Sequence, residues 1–416
     1  MPTLKAYRFK LRCQPAQESG LRRFGGGLRW VWNHALAEQI ARHTRGEPYA
    51  NYVAMAKWLT ACRNDPATGW LAEGPIHPQQ QVLRRLDETY RRFFKKTGGF
   101  PRFAQRGQEP GIRFPDSKQF ELDQVNGRIK VPKLGWLRLR QSQAVAGVFK
   151  NVSIRRDGAS WYCAIQVEVA DVAPALDVAP SIGIDLGVAN FLATSAGDLK
   201  APLAALVAQQ RRLKRYQRAV SRKVKGSCNR RKAVERLGRL HCRIAKQRSD
   251  WLHKLSSALV KSHPVIAIED LKVAAMSASA RGTSDAPGKN VRAKAGLNRS
   301  IMDASWSEFR RQLEYKAAWA GGEVIAVSAA YTSQRCSCCG FVDSNNRKRQ
   351  DRFVCVACGH AAQADVNAAK NILAAGHAVW SERTKACGED VRRAPVARPK
   401  YAASTKQEPT EESAHA

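Results

Sequence analysis

Residues 331–373 read YTSQRCSCCGFVDSNNRKRQDRFVCVACGHAAQADVNAAKNIL. They contain two C-x2-C pairs separated by fifteen residues, Cys336 with Cys339 and Cys355 with Cys358. Such spacing is typical of zinc, because each pair presents two thiolates from one tight turn and four thiolates complete a tetrahedron. We therefore predict a zinc ribbon over residues 331–360. A site of four thiolates has no open coordination position, so this zinc would be structural rather than catalytic.

Two further side chains lie close to these pairs. Cys338 is a spare thiol inside the first pair, and His360 follows the second. The spacing alone does not settle whether either residue affects zinc binding. Free or oxidised cysteine is the alternative interpretation of the whole cluster.

Three acids stand at places where apolar packing ends. Asp185 lies in GIDLG between two glycines on its own strand face, which we interpret as room for a metal ion and for a close-approaching backbone. Glu269 ends the apolar run VIAIE, and Asp365 begins the helical pattern DVNAAKNIL. Singly, they have ordinary explanations as a turn former, a strand-end charge and a helix N-cap. Together they would suit a pair of Mg2+ ions roughly 3.5 to 4 Å apart.

The charge of the chain limits its class of partner. Its 416 residues carry 70 Lys and Arg against 35 Asp and Glu, a formal net charge of +35. No apolar run is long enough to span a bilayer, and the N-terminal residues lack the apolar stretch of a signal peptide. We expect a cytoplasmic protein without a membrane partner, whose polyanion is nucleic acid.

Strand and helix patterns divide the chain into domains. We predict an N-terminal lobe over residues 1–170, consisting of a small β-barrel with helices inserted at about 15–100, followed by a Pro-containing linker over 171–180. Alternating strands and helices predict an α/β domain from residue 181 to 330. Its helical hairpin carries sixteen Lys or Arg between residues 211 and 248 against one acid, which favours a nucleic-acid track. We expect a mobile loop over 276–300 and a disordered tail over 377–416.

Several of these segments carry a family likeness. The motifs GIDLGV, VIAIEDL, TSQRCSCCG, CVACG and ADVNAAKNIL, with YRFKLR, GFPRF and KLGWLRLR earlier in the chain, closely resemble the TnpB (OrfB) proteins of bacterial insertion sequences, relatives of type V CRISPR effectors. The resemblance implies an RNase H-like RuvC nuclease domain made of residues 181–330 and 361–376 and split by the zinc ribbon. It also implies the site residues: Asp185, Glu269 and Asp365 as the catalytic, Mg2+-binding acids, and Cys336, Cys339, Cys355 and Cys358 as the zinc ligands.

The function implied by the resemblance is an RNA-guided DNA endonuclease. Its guide RNA would come from the transposon end, and it would cleave target DNA next to a short adjacent motif, associating with the nucleoid when on target. The resemblance leaves room for a transposase partner encoded by the same element. Three alternatives stay open: an RNA-guided DNA-binding regulator that does not cleave, a DNA transposase, and a simple zinc-ribbon nucleic-acid binder, which would leave the acids unexplained.

Overall fold

The structure is a computed structural model that describes residues 3–107, 110–158, 160–170, 181–283 and 286–386. It divides into two compact units. The described residues up to 170, together with Ala205–Leu252, form the first; residues 181–204 and those from His253 onward form the second. The predicted linker over 171–180 and residues 387–416 of the predicted tail lie outside the described residues.

An antiparallel sheet of seven strands organises the first unit. Its strands are β1 (Thr3–Arg12), β2 (Ile112–Phe114), β3 (Glu121–Asp123), β4 (Arg128–Val131), β5 (Gly135–Arg140), β6 (Val148–Asp157) and β7 (Ser160–Val169). They follow the order β2-β6-β7-β1-β5-β4-β3. Within the described residues the two edge strands do not pair with each other, so the predicted barrel is an open half-barrel.

Three helices are inserted between β1 and β2, as predicted: α1 (Pro15–Thr44), α2 (Tyr52–Asn64) and α3 (Ile76–Phe94). The side chain of Asn51 caps α2 by accepting a hydrogen bond from the backbone N–H of Ala54 at 3.1 Å. Helix α3 buries Leu83 and Leu86 in the same core that contains Phe9 of β1. Burial of this apolar face attaches the helices to one face of the sheet.

The basic helical hairpin belongs to the first unit. It consists of α4 (Ala205–Ala208), α5 (Gln210–Ser221) and α6 (Cys228–Ser262), and α6 contributes only its residues up to Leu252 to this unit. Leu213 and Ile244 share a small apolar core, as their heptad positions predict. We predicted that this hairpin belongs to the α/β domain. It packs on the half-barrel instead, where Lys246 Nζ donates to Tyr162 Oη at 2.9 Å.

A second sheet organises the other unit. Its strands are β8 (Ser181–Leu186), β9 (Leu192–Thr194), β10 (Leu199–Lys200), β11 (Val265–Glu269) and β12 (Glu323–Val327). They follow the order β10-β9-β8-β11-β12, in which β8, β11 and β12 are parallel. The remaining elements are α7 (Val273–Met276), α8 (Val291–Ala304), α9 (Trp306–Trp319), the ribbon hairpin β13 (Arg352–Val354) and β14 (Ala361–Gln363), and α10 (Ala364–Ala386).

Two predictions for this unit were wrong in part. Residues from Val291 onward, which we expected to lie in a mobile loop, form α8 and bury Ile301. Residues 377–386, which we assigned to the disordered tail, continue α10, because Val379 and Trp380 pack against the core around Ile372. Small side chains obscured the apolar periodicity of both segments. Among the described residues, no helix combines the length and the hydropathy needed to cross a membrane.

Helix α10 lies against β8 at van der Waals distance from its backbone. A Cβ built at Gly183 would stand 2.1 Å from the carbonyl oxygen of Ala369 and 2.8 Å from the backbone N of Leu373. The close-approaching backbone that we predicted beside Asp185 is therefore the main chain of α10, at Gly183. The predicted close packing of the alanines of α10 is confirmed by Ala368 and Ala369, which are fully buried.

Replacement of Gly183 by alanine is expected to destabilise the protein by about 1–3 kcal/mol or more. The added Cβ would clash with the backbone carbonyl of Ala369, and neither this carbonyl nor strand β8 can shift without disturbing its own hydrogen bonds. Gly238→Ala is the matched control. A Cβ at this exposed position of α6 meets nothing within 4 Å, so the change should stabilise by about 1 kcal/mol through helix propensity. Urea unfolding of both variants measures the difference; equal effects would contradict the packing argument.

Candidate active site

Asp185 and Glu269 lie side by side at the carboxyl ends of neighbouring parallel strands. Ile184 of β8 pairs with Ile268 of β11, so the next residue of each strand is an acid in the same register. Carboxyl ends of parallel strands form the edge where α/β sheets bind ligands. Glu269 is 8% exposed and accepts a hydrogen bond from Thr332 Oγ1 at 2.5 Å.

Asp365 is brought to the same edge by the first turn of α10. It is not the N-cap of this helix, because the side chain of Gln363 caps it by accepting from the backbone N–H of Val366 at 2.7 Å. The Asp365 carboxylate is left to accept from Arg347 Nη2 at 2.9 Å and from Asn190 Nδ2 at 3.0 Å. The alternative interpretation of Asp365 as a helix N-cap is therefore excluded.

The three acids form one electrostatic cluster. Burial, followed by the negative charges of Glu269 and Asp365, raises the pKa of Asp185 to about 7. Burial also raises the pKa of Glu269, against the hydrogen bond from Thr332. Since Glu269 and Asp365 both act on Asp185, the structure brings together the three acids that the sequence singled out. Such mutual repulsion is the state that a bound cation relieves.

Sequence reasoning missed three residues of this cluster: Arg347, Asn190 and Thr332. The guanidinium of Arg347 forms an ion pair with Asp365 and opposes the raised pKa values of Asp185 and Glu269. Each of the three is far in sequence from the carboxylate that it contacts. No local pattern therefore identified them.

The four predicted zinc ligands also meet. Cys336, Cys339, Cys355 and Cys358 are the only set of three or more potential metal ligands whose ligand atoms all lie within 4.8 Å, among the residues described. Cys338, His360 and the three acids form no such set. The Sγ atoms of Cys336 and Cys358 are 3.7 Å apart and those of Cys339 and Cys355 are 3.6 Å apart. A Zn–S distance of about 2.3 Å gives a tetrahedral edge of about 3.8 Å, so the thiols fit zinc.

Local geometry of the two turns prepares the thiols for a metal. Gly340 and Gly359 adopt φ of 76° and 75°, a left-handed conformation that favours glycine. Hydrogen bonds from the backbone N–H groups of Cys358 and Ala357 lower the pKa of Cys355 to about 7, whereas hydrogen bonds with neighbouring thiols raise the pKa of Cys358 to about 12. Thiolates are the form that binds zinc, so Cys355 is the thiol most easily deprotonated for binding.

Two asparagines of α10 hold the start of the ribbon. Asn367 Oδ1 accepts from the backbone N–H of Ser337 at 3.0 Å, and its Nδ2 donates to the carbonyl of Arg335 at 2.8 Å. Asn371, one turn later, donates to the carbonyl of Thr332 at 2.9 Å. Both asparagines are buried. Their spacing of four residues in DVNAAKN was the sequence signal for a polar helix face, which we did not use.

Comparison with known proteins identifies the family. The chain is 48% identical to "Putative RNA-guided DNA endonuclease InsQ" of Escherichia coli K12, over 411 residues that span 99% of this chain and 98% of that protein. The chain belongs to the TnpB (OrfB) family. A second relative, "Putative RNA-guided DNA endonuclease" of Streptomyces pristinaespiralis, is 32% identical, with 96% of each chain covered.

Three family models match parts of this TnpB chain. Residues 306–372 match "Cas12f1-like, TNB domain", residues 164–280 match "Probable transposase" and residues 1–48 match "Helix-turn-helix domain". In the structure the last segment contains β1 and the single 30-residue helix α1 rather than two helices and a turn. A Cas12f1 chain solved in complex with sgRNA and target DNA aligns with a TM-score of 0.49 at 12% identity, covering 89% of this chain and 98% of that one.

Replacing Asp185 by asparagine is expected to stabilise the magnesium-free protein near neutral pH. The folded protein retains the Asp185 proton up to about pH 7, whereas the unfolded chain releases it near 3.8. Stability from the protonated acid is thus complete below 3.8 and is lost as the pH rises through 7. The variant should melt several degrees above the wild type at about pH 8 and show little gain at about pH 4. Asp198→Asn, at an exposed acid of the same unit, is the control; a gain independent of pH would contradict the argument.

Replacing Cys355 by serine is expected to remove zinc from this TnpB chain and to destabilise the ribbon by several kcal/mol. Cys338→Ser is the matched control, because Cys338 lies in the same turn but outside the thiol cluster, and it should keep about one zinc per chain. Metal content by plasma mass spectrometry and thermal unfolding check both. Zinc loss from Cys338→Ser, or its retention in Cys355→Ser, would overturn the assignment.

Proposed function

We propose that this chain is an RNA-guided DNA endonuclease that hydrolyses phosphodiester bonds at Asp185, Glu269 and Asp365 with Mg2+. One observation carries the proposal: three acids from distant segments converge at one sheet edge, where burial and mutual repulsion raise the pKa of Asp185 to about 7. A folded protein has no structural need for such an unfavourable cluster. Strongly perturbed carboxylates of this kind are characteristic of functional sites.

The architecture of the second unit supports an assignment to the RNase H-like RuvC class. Its sheet combines the parallel strands β8, β11 and β12 with the antiparallel strands β9 and β10, and α10 packs across β8. The first acid stands in the first strand of this sheet, the second at the end of β11 and the third on α10. We therefore take residues 331–360 as an insertion in the nuclease domain.

The donor set suits magnesium, which favours carboxylate oxygens completed by water and substrate phosphate. Asp185, Glu269 and Asp365 would hold the ions. When bound, two such ions activate a water and stabilise the leaving oxygen of a phosphodiester. The three carboxylates do not all lie within 4.8 Å of one another, which disfavours a single shared ion. Ligands of two ions about 4 Å apart are naturally more widely spaced.

Neighbouring side chains would keep the acids in place. Thr332 fixes one oxygen of Glu269, and Asn190 fixes Asp365 from the side of β8. Arg347 supplies a positive charge to the cluster through Asp365. Its guanidinium is also a group that binds phosphate in a bidentate manner, so a substrate phosphate and Asp365 would compete for it.

Guide RNA and target DNA are the partners that the charge and the family support. The net charge of +35 matches two polyanions, and the hairpin of α5 and α6 carries sixteen of the cations. The names of the two relatives described above both contain "Putative RNA-guided DNA endonuclease". We propose that the N-terminal lobe binds the guide RNA, which is made from the transposon end, and the adjacent DNA motif. Zinc would stabilise the ribbon. The protein would act in the cytoplasm and on the nucleoid. A transposase of the same element would be a further partner.

Replacing Asp185 or Glu269 by alanine is expected to lower DNA cleavage by about a thousandfold or more, because one anchor of the ions is lost, while RNA binding stays intact. The assay uses the wild-type chain with its copurified RNA, whose sequence defines a matching plasmid target. Asp198→Asn serves as the control with full activity.

The same assay separates the alternatives. Cleavage that survives the loss of Asp185 would remove the proposed site. Target binding by the wild type without cleavage would identify an RNA-guided regulator, and joining of labelled transposon ends would identify a transposase. A regulator and a transposase could both retain the three acids, so the activity of the wild-type protein distinguishes these alternatives.

A further inference from the structure

A cavity of about 300 Å³ lies at the amino ends of the parallel strands of the second sheet, at the opposite edge from the three acids. Its polar lining comes from four segments of this unit: Ser181 of β8, Ser195 after β9, His263 after α6, and Lys370 and His377 of α10. Helix α10 starts beside the acids and reaches this cavity about 18 Å further along its axis. The cavity is therefore separate from the proposed nuclease site.

The wall of this cavity carries positive charge without negative charge. The described residues that line it include no Asp or Glu. Lys370 is exposed, and within the described part of the chain it forms no ion pair. A single solvated lysine would carry little meaning in a chain of net charge +35, so its significance depends on the groups beside it.

Two serines bring hydroxyl groups to the same wall. Ser195 Oγ accepts from the backbone N–H of Gly183 at 3.1 Å, which leaves its own O–H as a donor for the cavity. Ser181 Oγ and His377 Nε2 are joined by a hydrogen bond of 2.7 Å, which connects the start of β8 to α10. These contacts fix the polar groups of the wall before any ligand binds.

His263 adds a polar atom that lacks a partner. Its Nδ1 is buried and forms no hydrogen bond among the described residues. The orientation of a histidine ring is set by its hydrogen-bond partners, and here no partner of Nδ1 sets it. Buried polar atoms are almost always paired, so this nitrogen indicates a partner that the described chain does not supply.

The shape of the cavity is set by one small side chain and an apolar wall. Lys370, Ala374 and His377 recur at helical spacing on one face of α10, and Ala374 leaves room between the two longer side chains. Ile182 and Leu373 supply the apolar wall. A volume of about 300 Å³ is at the lower end of the range for small-ligand sites. It exceeds what a phosphate ion requires, so an organic group can bind beside the anion.

We propose that this cavity binds a phosphate monoester. Donors on several sides suit a tetrahedral anion, whose oxygens accept from different directions, better than a planar carboxylate. Lysine binds phosphate as a point charge, and Lys370 would do so here together with the hydroxyl of Ser195. Ile182 and Leu373 would contact the organic group. A free nucleotide and the 5′-phosphate end of a nucleic acid share this chemistry, and the proposal does not rest on the nuclease function.

Equilibrium dialysis with radiolabelled AMP tests the proposal on the full chain, in about 0.3 M NaCl to screen exposed cations. We expect AMP to bind the wild type at a single site. Lys370→Gln should raise the dissociation constant about tenfold, because a hydrogen bond to a charged group is lost. Ala374→Leu should abolish binding, because the larger side chain fills the cavity while leucine still favours the helix.

Two matched controls separate the cavity from general effects of charge and folding. Lys200→Gln removes the same charge from an exposed position of β10 in the same sheet, and Ala318→Leu adds the same side chain at an exposed position of α9. Neither residue lines the cavity. Both controls should bind AMP as the wild type does. Thermal unfolding without AMP checks that the two leucine variants are folded; if Ala374→Leu is not, Lys370→Gln decides.

Competition identifies the group that is recognised. Inorganic phosphate should displace AMP, whereas adenosine should not. If a 5′-phosphorylated oligonucleotide displaces AMP and its unphosphorylated counterpart does not, the site takes the end of a nucleic acid; if neither does, it takes a free nucleotide. Either result supports the proposal.

Four results would overturn it: no binding of AMP to the wild type, displacement by adenosine as effective as that by phosphate, unchanged binding in a folded Ala374→Leu variant, or equal losses in Lys370→Gln and Lys200→Gln. Because no cleavage is measured, failure of the proposed nuclease would leave these results unaffected.

Discussion

The direct contact between α10 and the backbone of β8 is the constraint on which the second unit depends. At Gly183 the strand offers no side chain, so the carbonyl of Ala369 lies where a Cβ would otherwise stand. This contact fixes the start of α10 at the carboxyl edge of the sheet. Asp365 is held there beside Asp185 and Glu269, and the ribbon that precedes α10 is fixed with it through Asn367 and Asn371.

Electrostatic repulsion is concentrated at the carboxyl edge of the second sheet. There, buried carboxylates repel one another, and Arg347 relieves this repulsion in part. Folding alone would select against such an arrangement. The divalent cations that we propose for this site would supply the missing positive charge.

Much of the site could be predicted from local sequence, and what could not depends on long-range geometry. The C-x2-C spacing predicts the thiol cluster because each pair is local, and apolar runs identify β8 and β11. That Asp185 and Glu269 would be neighbours requires the parallel register of these strands, which no local pattern fixes. Arg347 and Thr332 escaped detection for the same reason. The glycines beside Asp185 predicted the close approach of a backbone, but the sequence could not show that α10 supplies this backbone, because the contact is distant along the chain. Helix α8 was missed because its small residues conceal a helical face.

The contact at Gly183 also limits which single amino-acid substitutions the protein can accept at this position. Any other residue at this position adds a Cβ that meets the carbonyl oxygen of Ala369 at 2.1 Å, and that carbonyl is present whatever side chain position 369 carries. No single compensating substitution on the helix can therefore restore the fit. Substitution at this position is therefore blocked by the main chain itself, whatever side chains the helix carries.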